Sequence, residues 1–264
     1  VSHDVPAELI IKQNGSVDFI ANDTFDFLSV GSSLVISFNY SVLDPSNASA
    51  IGTASFTITG VDNNDVLAIL VAATLSGGTG NDILYGSTGN DTLNGDAGND
   101  LLIGGPGVDS FVGGSGTDTV SYSSEVVSIG ITANLATGTG TAGVAAGETY
   151  ATIENLTGSI LNDILTGNNN ANVLDGSAGN DTLNGGGGND TLIGNLGDDT
   201  LDGAAGTDTA DYSGAIGGGV TVSLSASGSQ NVGGSLGSDT LISIENLTGS
   251  QFGDTLTGDN NANV

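Results

Sequence analysis

From Gly77 the chain advances in steps of nine residues, and no other feature constrains its fold as strongly. Five nonapeptides follow one another without a gap: GGTGNDILY (77–85), GSTGNDTLN (86–94), GDAGNDLLI (95–103), GGPGVDSFV (104–112) and GGSGTDTVS (113–121). A second array runs GSILNDILT (158–166), GNNNANVLD (167–175), GSAGNDTLN (176–184), GGGGNDTLI (185–193), GNLGDDTLD (194–202) and GAAGTDTAD (203–211). A third opens with GSQFGDTLT (249–257) and GDNNANV (258–264). The shared form is G-G-x-G-x-D-x-U-x, with U a large apolar residue.

Each position has a physical reason. Glycine supplies positive φ and lets carbonyl groups crowd together, so the first six positions predict a tight turn. The last three predict a short strand whose middle residue points inward. Those residues are Leu84, Leu93, Leu102, Phe111 and Val120 in the first array, then Leu165, Leu174, Leu183, Leu192 and Leu201 in the second. One turn and one strand make half a coil, so turns 18 residues apart stack on the same side, about 4.8 Å from each other. Asp82/Asp100, Asp91/Asp109, Asp100/Asp118, Asp163/Asp181, Asp181/Asp199 and Asp190/Asp208 then become neighbours. Two carboxylates that close repel by roughly a few kcal/mol at an effective dielectric near ~20. A bridging hard cation reverses the sign, and Ca²⁺ prefers such oxygens. The expected metal ligands are Asp82, Asp91, Asp100, Asp109, Asp118, Asp163, Asp181, Asp190, Asp199, Asp208 and Asp254. Asn172 and Asn263 replace aspartate at position six, and those sites are expected to be weak or empty. The turn 158–163 lacks the inner glycines.

The arrays resemble those of the RTX family, whose nonapeptides form a Ca²⁺-binding parallel β-roll. The resemblance covers Gly77 to Val264. It implies ions held between successive same-side turns by aspartate oxygens and loop carbonyls. It also implies a secreted protein of a Gram-negative bacterium, exported unfolded by type I secretion and folded outside by Ca²⁺.

A longer period overlies the nonapeptides. IENLTGS occurs at 153–159 and again at 244–250, and TDTVSYS (117–123) is echoed by TDTADYS (207–213), offsets of 91 and 90 residues. Residues 75–157 and 158–248 are therefore two superunits, and 249–264 begins a third. The stretches between arrays, with SIGITANL (128–135) and VTVSL (220–224), are expected to continue the coil. Tyr122 and Tyr212 follow the arrays at equivalent places and read as core or end-of-coil packing.

Residues 1–74 differ in texture. LVISFNYSV (34–42), TASFTIT (53–59) and VLAILV (66–71) alternate or are β-branched, and predict a small β-sandwich-like domain or part of one. Its strand pattern resembles the cadherin-like or VCBS-type repeats of bacterial adhesins. Asp62-Asn63-Asn64-Asp65 reads as a polar turn, with a junction Ca²⁺ as the sharper alternative. The fold class is thus all-β, a parallel β-roll preceded by a sandwich-like domain.

Charge settles what the chain is unsuited to bind. Thirty acidic residues face a single Lys or Arg, Lys12, for a formal net charge of -29. No basic patch exists for nucleic acid, and an anionic membrane surface is disfavoured for the same reason. Hydrophobic residues still make up 37%, enough to bury a core once the charge is neutralised. Cysteine is absent, which excludes disulfides and thiolate metal sites. No apolar run is long enough to span a bilayer. Val1–Ile10 carries Asp4 and Glu8 and does not read as a signal peptide, and the chain is expected to be a segment of a longer protein.

No catalytic constellation emerges, and the chain is read as not an enzyme. Gly233-Gly234-Ser235-Leu236-Gly237 matches the G-x-S-x-G string, but the only histidine, His3, gives a triad no base. The expected function is a calcium-dependent structural or adhesive segment of a large secreted surface protein, with self-association or cell-surface contact. The alternative is the secretion and folding module of a secreted hydrolase or toxin whose active domain lies elsewhere.

Overall fold

The computed structural model describes residues 74–124 and 128–263 in full, and the backbone of strands Glu8–Ile11, Val17–Ile20, Val30–Leu43, Ser49–Val61 and Val66–Ala68. Asp62–Asp65 and His3 lie outside the described residues. In the N-terminal part Glu8–Ile11 pairs antiparallel with Val17–Ile20. Val30–Leu43 pairs antiparallel with Ser49–Val61 along nearly its whole length. How these strands would pack as a sandwich falls outside the described residues, because their side chains do.

The repeats wind into a parallel β-roll. The last three positions of each nonapeptide are strand, and each strand pairs in parallel with the one 18 residues on. Leu75 faces Leu93 and Leu93 faces Phe111 on one sheet. Leu84 faces Leu102 and Leu102 faces Val120 on the other. The second array repeats the register, with Leu165, Leu183 and Leu201 on the first sheet and Leu174, Leu192 and Ala210 on the second. All these side chains are fully buried. One large apolar side chain per nine residues contributes about 1.5–3 kcal/mol, a thin core for so glycine-rich a backbone.

Among the described residues one sheet has nine strands and the other thirteen. The nine-stranded sheet passes through the region between the arrays unbroken, since Thr119–Ser121 pairs directly with Asn155–Thr157, and that with Val173–Asp175. The thirteen-stranded sheet accommodates the extra residues. Thr132–Asn134 stacks in parallel on Ile164–Thr166, turns back antiparallel through Thr139–Ala142, and meets Thr149–Ala151, which rejoins Ser110–Ser115 in parallel. A 3-10 turn, Gly143–Ala145, completes the excursion. The second superunit ends in the same way. Thr221–Ser223 stacks on Thr255–Thr257, Gln230–Asn231 runs antiparallel to Ser238–Ile242, and the latter rejoins Thr200–Asp202. The 90-residue period of the sequence is thus a hairpin excursion on one sheet only. At the N-terminal end, Val30–Leu43 pairs antiparallel with Thr74–Thr79 on the thirteen-stranded sheet, and Val66–Ala68 pairs in parallel with Ile83–Tyr85 on the other.

Candidate metal centre

Position six is where the turn enters the strand, and there its side chain points back into the turn. The ten array aspartates from Asp82 to Asp208 are all buried, with at most 2% of their surface exposed. Asp254, in the first turn of the third array, is only half-buried. From Asp100 on, one oxygen of each carboxylate accepts a backbone N–H of the coil before it. Asp100 Oδ1 accepts the Asp82 N–H at 2.7 Å, Asp118 Oδ1 accepts that of Asp100 at 2.8 Å, and Asp109 Oδ1 that of Asp91 at 2.8 Å. Asp181, Asp199, Asp190 and Asp208 do the same at 2.8 Å for residues 163, 181, 172 and 190. Two columns of carboxylates result, one on each side of the roll.

The second oxygen distinguishes the turns. At Asp100, Asp118, Asp181, Asp190, Asp199 and Asp208, Oδ2 is buried and accepts no hydrogen bond. Leaving an ionised oxygen so placed is costly. These oxygens face the first glycine of their turn, and at Gly95, Gly113 and Gly203 a backbone carbonyl of the next coil also arrives. A Cβ built on Gly95 would collide with Asp100 Oδ2 and lie 2.6 Å from the Gly113 carbonyl oxygen. At Gly203 it would lie 2.6 Å from Asp208 Oδ2 and collide with the Ser243 carbonyl. Position four is closer still, since a Cβ on Gly98, φ +143°, would overlap the Gly80 carbonyl. Glycine is required at these places because oxygens occupy the space a side chain would take. An all-oxygen cradle with orphaned carboxylate atoms fits a hard cation of the Ca²⁺ kind. Among the described residues no group of three or more His, Cys, Asp or Glu side chains gathers, so carbonyls and water would complete the six to eight ligands such an ion takes.

The electrostatics agree. Burial, reinforced by neighbouring carboxylates, pushes Asp181 up to about 7 and Asp100 to about 6. Asp190 and Asp199 are likewise pushed to about 6, burial being the leading cause. Asp118, Asp163 and Asp208 are raised in the same direction. Without a cation the columns would hold protons near neutrality.

This geometry coincides with a family match. The model of the RTX calcium-binding nonapeptide repeat matches in four copies, at residues 73–102, 85–120, 157–192 and 175–210. The arrays are RTX calcium-binding repeats. They bind Ca²⁺, and the chain carries a calcium-binding repeat segment of the RTX type. No curated protein matches the chain.

Three features of these RTX repeats escaped the sequence reading. First, the string set aside as a chance G-x-S-x-G belongs to a further nonapeptide, GSLGSDTLI (234–242). Its Asp239 is fully buried, its Oδ1 accepts the Asp199 N–H at 3.1 Å, and its Oδ2 accepts no hydrogen bond. The pattern Gly234, Gly237, Asp239, Leu241 was legible, but it falls 31 residues after Asp208 and out of step with the array. Second, glutamates stand in for aspartate where superunits meet. Glu154 Oε2 accepts the Asp118 N–H at 2.9 Å, and Glu245 Oε2 accepts the Asp208 N–H at 2.8 Å. These are the glutamates of the two IENLTGS segments. Third, position five forms its own ladder. Asn81, Asn99, Asn162 and Asn180 each accept the N–H of the residue 18 positions on, at 2.8 to 3.0 Å. That ladder accounts for the frequent Asn-Asp pair.

Tyr122 and Tyr212 are buried in the core. Tyr122 does more than pack, because its hydroxyl donates to Glu148 Oε2 and lies 2.6 Å from the Tyr150 hydroxyl.

Proposed function

We propose that this chain is a calcium-stiffened structural segment of a large secreted bacterial surface protein, with a role in adhesion or surface assembly. The observation that carries the reading is continuity: strands of both superunits join the same two sheets, so the segment extends as one stack and does not break into separate globules. A stack whose carboxylate columns need Ca²⁺ is soft where Ca²⁺ is scarce and rigid where it is abundant, which suits a protein that is exported unfolded and works outside the cell. The reading assigns the segment no catalysis. Among the described residues no helix is long and apolar enough to cross a membrane.

The test is a Ca²⁺ titration of chelated protein followed by far-ultraviolet circular dichroism and small-angle X-ray scattering, with Mg²⁺ as control. The expected result is a cooperative gain of β signal with Ca²⁺ alone, ending in an elongated particle. A β spectrum that is unchanged by chelation, or a compact globule at saturating Ca²⁺, would defeat it.

A further inference from the structure

The turns come in two states, and the backbone at position two separates them. In nine turns the residue at position two has a positive φ: Gly78 (98°), Asp96 (71°), Gly105 (84°), Gly114 (111°), Ser177 (70°), Gly186 (94°), Asn195 (64°), Ala204 (62°) and Ser235 (69°). In seven of these, the open turns, the position-six partners are Asp100, Asp118, Asp181, Asp190, Asp199, Asp208 and Asp239, whose Oδ2 is buried and accepts no hydrogen bond. In three of these open turns the position-two N–H is seen directed elsewhere. Ser177 donates to Asp175 Oδ1 at 2.9 Å, Ala204 to Asp202 Oδ1 at 3.0 Å, and Gly114 to Thr152 Oγ1 at 2.8 Å.

In four other turns position two lacks a positive φ, and its N–H closes onto the position-six side chain. Ser87 donates to Asp91 Oδ2 at 2.8 Å, Ser159 to Asp163 Oδ2 at 2.6 Å, Asn168 to Asn172 Oδ1 at 2.7 Å and Asp259 to Asn263 Oδ1 at 2.9 Å. In a fifth, Ser250 Oγ donates to Asp254 Oδ1 at 2.7 Å. Among these twelve open or closed turns none mixes the two states. The left-handed conformation costs a non-glycine residue roughly 1–2 kcal/mol, and five of the nine positive-φ turns carry one. Such strain persists where it keeps a functional geometry, here a carboxylate oxygen left uncapped.

Four of the five closed turns fall in register with the superunits, the fifth, 86–91, lying inside the first array. Both turns of residues 158–175 are closed, and so are both turns of 249–263. Within the first of these coils every position-six oxygen is used. Asp163 Oδ1 accepts the Ile131 N–H at 2.7 Å and the Ser159 hydroxyl at 2.9 Å. Where a carboxylate column would continue from Glu154, Asn172 Nδ2 instead donates to the Glu154 carbonyl at 2.7 Å, and Asn263 Nδ2 repeats the bond to Glu245 at 3.0 Å. We propose that the second and third superunits each begin with one calcium-independent coil, 158–175 and 249–263, whose closed turns hold no ion. This coil interrupts the ion columns, so that the calcium sites of neighbouring superunits fill as separate sets. Asp91, Asp163 and Asp254 thereby become turn-capping residues and not calcium ligands. The inference rests on calcium binding by the open turns and does not depend on the rod-like role.

Two readouts on the whole chain test it. The first is bound Ca²⁺ counted by equilibrium dialysis at saturation. Asn172→Asp is expected to bind no more calcium than the parent, and Asp163→Asn no less. Asp181→Asn, in an open turn, is expected to lose at least one ion and bind the rest about tenfold more weakly, as loss of a charged ligand does. If the residue at position six alone decides occupancy, Asn172→Asp gains an ion, Asp163→Asn loses one, and the proposal falls. Should Asp163→Asn fail to fold, the count for Asn172→Asp still decides. The second readout is amide exchange in chelator. Peptides from 158–175 are expected to stay protected relative to 176–211, and equal exchange of the two would overturn calcium independence.

Discussion

The two places where an array gives way to its hairpin excursion share one backbone and differ in chemistry. Thr149 N–H bonds the Asp109 carbonyl at 3.1 Å, and Thr240 N–H bonds the Asp199 carbonyl at 2.8 Å, so Glu148 and Asp239 stand at the same point of the roll. Both are fully buried. At the first junction the glutamate reaches across to Tyr122 and Tyr150, and the Tyr150 ring stacks on Phe111 with centroids 5.8 Å apart. At the second, the shorter Asp239 extends the carboxylate column above Asp199, Leu241 takes the place of Tyr150, and Tyr212 lies alongside. One methylene and one phenol separate a carboxylate that accepts from two hydroxyls from one with Tyr212 alone beside it. A buried acid in this fold is therefore not in itself a metal ligand. The donors within reach decide.

The largest effect expected concerns both arrays at once. In metal-free protein the raised carboxylates hold protons more tightly folded than unfolded. Their contribution is fully present below the ordinary value near 3.8 and is lost as pH rises through about 6 for Asp100 and about 7 for Asp181 and Asp239. Acidifying chelated protein from about pH 8 toward about pH 4 should restore β signal without calcium. Amide exchange should show the second array gaining protection at higher pH than the first. A chelated chain that stays unfolded across that range would mean that buried charge is not what opens it.

Next in size is the contrast between the two acids. Asp239→Asn should lose one bound ion, while Glu148→Gln should lose none, because an amide can still pair with the phenols. Equal counts for the two variants would erase the distinction between the junctions. A smaller effect follows from the tyrosines. Tyr122→Phe leaves Glu148 with Tyr150 as its remaining phenol donor, at 3.1 Å, and should lower stability by about 1–3 kcal/mol in urea at saturating calcium. The smallest belongs to Tyr212→Phe, expected below about 1 kcal/mol, since Asp239 is already anchored by the Asp199 N–H. A Tyr212→Phe cost as large as that of Tyr122→Phe would show that Asp239 too is held by its phenol.

Much of this molecule could be read before any coordinates. The nine-residue step sets half a coil, so the inward row from Leu84 to Leu201 follows from spacing, and all ten residues named in that row are buried. The carboxylate columns follow from the same arithmetic. Asp239 was legible as a pattern and was overlooked because it stands out of phase. Glu154 and Glu245 were hidden more deeply, since only strand pairing across 36 and 37 residues brings them under the columns.

What the sequence by itself determined is periodic and local: a turn that only glycine can make, a strand of three residues, one apolar side chain inward and one acid at the turn's end. What the tertiary structure alone decided is the state of each turn. Serine at position two is closed at Ser87 and Ser159 and left-handed at Ser177 and Ser235. The same residue type adopts both because the choice depends on which acceptor its N–H meets, Asp91 within its own turn or Asp175 in the strand before. The acceptor that opens the turn stands at the end of the preceding nonapeptide, so no single nine-residue word contains the competition.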